Sequence, residues 1–139
     1  MRKIIINTDG GARGNPGPAG IGVVMVDEGG LLLKEFGEYI GETTNNVAEY
    51  QALIRALEET QKLLGTNAEV PVEIRMDSEL VVRQMEGRYK VKEPTLKLKF
   101  LRVKELLQKI PATSFVHVRR EQNKRADELV NEAIDARVN

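Results

Sequence analysis

The chain opens with Ile4-Ile5-Ile6 and then runs from Thr8 to Gly20 without a single large apolar residue. Apolar runs resume at Ile21. Lys3–Thr8, Ile21–Val26 and Leu31–Tyr39 read as three strands bounded by turn residues, with Glu28-Gly29-Gly30 as the hairpin turn between the last two. Strands spaced this closely predict an antiparallel meander. After Thr43-Thr44-Asn45-Asn46 the period changes: Val47, Tyr50, Leu53, Ile54 and Leu57 recur at helical spacing, predicting a helix that runs to about Leu64 and ends at Gly65.

Val72–Met76 reads as a fourth strand, and Ser78 as the cap of a short helix continuing to about Glu86. Pro94 opens a longer helix with the stripe Leu96, Phe100, Val103, Leu107 and Ile110, stopped by Pro111. Ser114–Val118 reads as a fifth strand, and Ala126, Leu129, Val130, Ala133 and Ile134 as the stripe of a last helix. The order βββ-α-β-α-α-β-α predicts an α/β fold, a mixed sheet with helices on its faces. With 139 residues there is room for one core and not for two, so a single domain over 1–139 is expected.

Composition narrows the chemistry. Apolar residues at 41% and charged residues at 30% fit a globular chain, and no apolar run is long enough to span a membrane. Three isoleucines after Arg2 and Lys3 are too few for the apolar segment of a signal peptide, so a cytoplasmic protein is expected. The absence of cysteine excludes disulfides, thiolate metal sites and cysteine nucleophiles. Net charge is zero, but Lys and Arg number 7 against 12 acids over residues 1–78 and 14 against 9 over 79–139. The basic excess centres on Arg88–Lys109, where a polyanionic partner is plausible and a solvated helix face is the plainer reading.

Three acids sit where elements meet. Asp9 follows the first strand, Asp77 follows the fourth, and Glu49 lies a turn into the helix after TTNN. If strands one and four are parallel neighbours, Asp9 and Asp77 point into one crevice at the carboxyl ends of the strands. Asp127, in NKRAD near the start of the last helix, can close the same site. Taken singly, each is an ordinary helix-end or surface acid. Four that converge repel one another and need neutralising, and oxygen ligands without cysteine point to Mg²⁺ or Mn²⁺. No Walker A motif, G-x-G-x-x-G spacing before a helix or G-x-S-x-G elbow is present. The single histidine, His117, reads as a packed residue in the middle of strand five.

TDGGARGNPGPAG, TTNNVAEYQAL, RMDSELVVRQM and NKRADELVNEA, in that order, resemble the motifs of type 1 ribonuclease H over essentially the whole chain. The resemblance implies a ribonuclease H-like fold with five strands, three antiparallel and then parallel ones. It implies endonucleolytic hydrolysis of the RNA strand of an RNA–DNA hybrid, leaving 3′-hydroxyl and 5′-phosphate ends. By that resemblance Asp9, Glu49, Asp77 and Asp127 are the catalytic, metal-binding carboxylates. Asp9 bridges two Mg²⁺ ions, with Glu49 and Asp77 on one and Asp127 on the other. A monomer is expected.

In the same way Gly10, Gly11, Asn15, Thr44, Asn45 and Asn46 correspond to substrate contacts. Glycines admit the nucleic-acid backbone beside Asp9, asparagines reach the minor groove where 2′-hydroxyls mark RNA, and Thr44 belongs to a pocket for a DNA phosphate. Thr44 and Asn45 also suit capping. The chain departs from the family in three places. The stretch Val118–Asn123 lacks the loop histidine of many members, so Arg119, Arg120 or Glu121 is left to substitute. Glu79 replaces a substrate-contacting glutamine. Gly87–Lys92 is all that stands for an aromatic-rich basic protrusion, leaving hybrid affinity to the helix from Pro94 to Lys109 and making it strongly salt-dependent. A hybrid-binding module that does not cut, and a related metal nuclease of the DEDD exonuclease or transposase-like kind, are the competing readings.

Overall fold

The computed structural model describes residues 2–138. Three long strands lead, β1 (Ile4–Ala12), β2 (Gly17–Asp27) and β3 (Leu32–Thr43). They are followed by α1 (Asn45–Leu64), β4 (Val72–Met76), α2 (Glu79–Met85), α3 (Pro94–Leu107), β5 (Thr113–His117), a 3₁₀ turn at Arg120–Gln122 and α4 (Lys124–Val138). The strands form one sheet in the order β3-β2-β1-β4-β5. The first three are antiparallel, while β4 pairs parallel with both β1 and β5. This is the five-stranded mixed sheet that the sequence predicts.

Alternation along β1 sends successive side chains to opposite faces. Ile4 and Ile6 join Val23, Met25, Ile74 and Met76 under Tyr50, Leu53 and Leu57 of α1, and Leu96, Val103 and Leu106 of α3 close over the same core. Each such aliphatic side chain contributes about 1.5–3 kcal/mol when fully buried. On the other face α4 buries Ala126, Leu129, Val130 and Ile134. The ends of α1 are set by its sequence: Thr44 Oγ1 accepts the Val47 N–H at 3.3 Å. Gly65, at φ +58°, donates its N–H to Gln61 O at 2.9 Å.

The strands extend beyond their sequence boundaries. Gly10 pairs with Ile21, Gly11 with Gly20 and Ala12 with Ala19, so β1 and β2 run through the glycine-rich stretch and only Arg13–Pro16 is left as the turn. Asp9 therefore stands mid-strand opposite Gly22, not at a strand end. Glycine is a poor strand former, but here helix backbones press on the sheet. A Cβ on Gly10 would lie 2.3 Å from Ala48 O of α1, and one on Gly22 would lie 2.1 Å from Ala126 O of α4. Only glycine admits that approach, and it brings the segments that carry Glu49 and Asp127 down onto the sheet. The parallel ladder to β4 nevertheless stops at Thr8 and Met76, so Asp9 and Asp77 are the next residues along two neighbouring strands.

Candidate active site

Glu49, on the second turn of α1, stands beside Asp9 because Gly10 lets that turn touch β1. Its Oε1 accepts the Gly10 N–H at 3.4 Å. Asp77 enters from the end of β4. One carboxylate oxygen from each of Asp9, Glu49 and Asp77 lies within 4.8 Å of the others, and Asp9 and Glu49 are only 7% and 8% exposed. Asp127, on the first turn of α4, lines the same cleft but stands outside that group of three. Of the four acids expected from the sequence, three form a tight cluster and the fourth comes from α4, which lies on the other face of the sheet from α1.

Burial and the charge of Asp77 push the Asp9 carboxyl up to about 7, with Asp127 adding to the rise. Burial, then Asp9 and Asp77, hold Glu49 well above the ordinary carboxylate range. Glu49 Oε2 is buried and has no hydrogen-bond partner among the described residues. An orphaned buried oxygen within a cluster of hard donors fits a divalent cation, and the donor set suits Mg²⁺ or Mn²⁺. Because the Asp9 carboxyl ionises near pH 7 in the fold against 3.8 ordinarily, the cation-free fold holds its proton more tightly than the unfolded chain does. That contribution is complete at low pH and is lost as pH rises through about 7. Melting curves across this window should show metal-free stability falling as pH rises, and the stabilisation produced by Mg²⁺ growing. A Mg²⁺ effect independent of pH would contradict the shared-carboxylate site.

The cleft has a volume of about 820 Å³ and is lined by Gly10, Gly11, Asn45 and Asn46 as well as the acids. Asn15 and Thr44 lie outside its lining. A Cβ on Gly11 would make only an ordinary contact, 3.8 Å from Val130 Cγ1, whereas Gly10 is fixed by α1 and its N–H is engaged by Glu49. Asn15 Oδ1 accepts the Asn45 N–H at 2.9 Å, and Asn45 Oδ1 accepts the Ala12 N–H at 2.8 Å. These bonds pin the β1–β2 turn to the start of α1 and engage the two side-chain oxygens, while both residues remain exposed. Thr44 serves as the helix cap, as its position suggests.

His117 overturns its sequence reading. It is the last residue of β5, pairs with Met76, is exposed and lines the cleft beside Asp77. Its neighbour Val116 is 38% exposed, since β5 is an edge strand with its outer side uncovered. The fact that the adjacent strand ends at Asp77 was the available signal. Arg13, Asn131 and Ser78, read from the sequence only as a helix cap, also line the cleft; Asn131 lies one helical turn beyond Asp127, so its spacing could have found it. Arg119, Arg120 and Glu121 line the cleft as well, while Glu79 does not.

A family model described as "Reverse transcriptase-like" matches residues 7–133. LC11-RNase H1, solved in complex with an RNA/DNA hybrid, is 63% identical, with 99% of this chain and 100% of that one covered at a TM-score of 0.95. RNase H1 from the archaeon Halobacterium salinarum is 43% identical, with 96% and 98% covered and a TM-score of 0.88. The "Bifunctional protein Rv2228c" of Mycobacterium tuberculosis is 45% identical over 135 residues, which are 96% of this chain and 36% of that protein. The chain thus spans about a third of that relative's length. Identity at this level, sustained across whole solved chains with the same sheet and helices, means that the chain belongs to the ribonuclease H1 family.

Proposed function

We propose that the protein is an endonuclease that hydrolyses the RNA strand of RNA–DNA hybrids, leaving 3′-hydroxyl and 5′-phosphate ends. The observation that carries this reading is the trio of buried Asp9, buried Glu49 and half-buried Asp77, with carboxylate oxygens within 4.8 Å of one another in an open cleft. A protein that only bound hybrids would gain nothing from anionic groups facing phosphate. Asp9, Glu49 and Asp77 would hold one divalent cation, with Asp127 and Asp9 positioned for a second. Such ions, when bound, supply the charge that activates an attacking water and stabilises the leaving 3′ oxygen.

The chain's own residues do the orienting. Asn15 and Asn45 spend their side-chain oxygens on backbone N–H groups, which leaves their amide NH₂ groups to donate to 2′-hydroxyls and base edges in the hybrid's minor groove. Gly11 would let the RNA backbone come close, Asn46 would join the minor-groove contacts, and Thr44 would belong to a pocket for a DNA phosphate. The RNA/DNA hybrid held by LC11-RNase H1 supports this substrate class.

The basic helix fits the same picture in part. Lys99 reaches Gln51 at 3.0 Å and Arg102 reaches Glu58 at 3.3 Å, so α3 runs alongside α1 in the same direction and those two cations are committed to it. Lys97 and Lys104 remain exposed for phosphates. A hybrid with labelled RNA, incubated with and without Mg²⁺ beside single-stranded RNA, duplex DNA and duplex RNA, tests the proposal. Internal Mg²⁺-dependent cuts in the hybrid's RNA alone are expected. Intact RNA would favour a binder, and mononucleotides released from an end would favour an exonuclease.

A further inference from the structure

We propose that Asn123 and Asn7 form a polar latch that sets where Asp127 stands relative to Asp9, and thereby whether a second divalent cation is held beside the first. The proposal rests on the metal-dependent reading above. Asn123 separates the 3₁₀ turn from α4 and is 1% exposed, the most deeply buried polar side chain in that segment. Its Nδ2 donates to Thr8 O at 2.8 Å, and its Oδ1 accepts from Asn7 Nδ2 at 3.0 Å. Asn7 Nδ2 also donates to Gln122 O at 3.3 Å. On the other side, the Asn123 carbonyl accepts the Asp127 N–H at 3.1 Å. One residue therefore joins the carbonyl immediately before Asp9 to the backbone of Asp127.

The three clustered carboxylates are placed independently of this latch. Glu49 is set by the contact of α1 with Gly10, and Asp77 by the ladder between β1 and β4. Only Asp127 depends on how α4 begins. The close contacts of α4 with Gly22 and Gly37 fix its height above the sheet, whereas the polar bonds at Asn123 fix its start along β1. Losing the latch should therefore leave the first cation in place and weaken the second. Polar groups that hold a ligand without touching the ion typically govern metal affinity by about 10–100-fold.

The test is calorimetric titration of the full chain with Mn²⁺, for wild type, Asn123→Ala and Asn7→Ala. The half-buried Asn7 keeps the test open should Asn123→Ala fail to fold. Wild type should show a tight step and a weaker one. Both variants should keep the tight step within about twofold and lose at least about tenfold on the weaker step. In parallel, the Mn²⁺ concentration giving half-maximal hybrid cleavage should rise about tenfold, with kcat recovering at saturating Mn²⁺. A single step in wild type would overturn the latch, as would variant isotherms that superimpose on wild type or a loss confined to kcat with an unchanged metal requirement. Two-step binding without any cleavage of the hybrid would instead sink the hydrolase reading while leaving the latch standing on its isotherms.

Discussion

Asp9→Asn is expected to reduce hybrid cleavage by about a thousandfold or more while raising the melting temperature of the metal-free protein by several degrees. Both effects come from one geometry. Asp77, Glu49 and Asp127 all act on the Asp9 carboxyl. Replacing it with a neutral amide of the same shape would remove the ligand that the two proposed cation positions share, and catalytic metal sites do not tolerate that loss. The same change removes a charge that burial and repulsion make costly above pH 7, where each unit of pKa displacement is worth about 1.4 kcal/mol. Hybrid binding, which the proposal assigns to asparagines and basic groups elsewhere, should stay within a few-fold. Turnover near that of wild type would refute the assignment, and a lowered metal-free melting temperature would refute the strain.

Gly10→Ala is the second large effect, and it acts on the fold first. The added methyl would stand 2.3 Å from both the carbonyl carbon and the oxygen of Ala48, and 2.6 Å from Glu49 N, all backbone atoms of a 20-residue helix. No side chain can swing away, so α1 must lift from β1. Overpacking of a filled interior costs about 1–3 kcal/mol, and a rigid helix backbone puts this site at the upper end. Lifting α1 also withdraws Glu49 from Asp9. Thermal melts and the hybrid assay should therefore fall together, and Mn²⁺ affinity should fall with them. Gly11→Ala is the control: its methyl meets nothing closer than Val130 Cγ1 at 3.8 Å, so stability should change little. A stable Gly10→Ala with full metal affinity would contradict the view that this glycine exists for α1.

Much of this site is legible in the chain, for reasons that differ by residue. The TTNN cap and the helical stripe after it are local signals, and α1 begins where they place it, carrying Glu49 toward the sheet. Asp77 follows from a short strand with a clear end. Asp9 is legible as an acid of the site but not as a mid-strand residue, because the glycines after it read as loop unless the helices that press on them are known. That pressure is tertiary, and local propensity says nothing about it. His117 fails for a related reason: apolar neighbours suggest a buried strand, but β5 lies at the sheet edge and three of its five residues are exposed. The pairing of Asn7 with Asn123 joins residues 116 positions apart, and no spacing rule reaches that far.

The gathering of acids around a divalent cation is tested most directly by anomalous diffraction from crystals grown with Mn²⁺. A Mn²⁺ peak coordinated by carboxylate oxygens of Asp9, Glu49 and Asp77 is predicted. Crystals saturated with Mn²⁺ in which those three side chains hold no ion would contradict it.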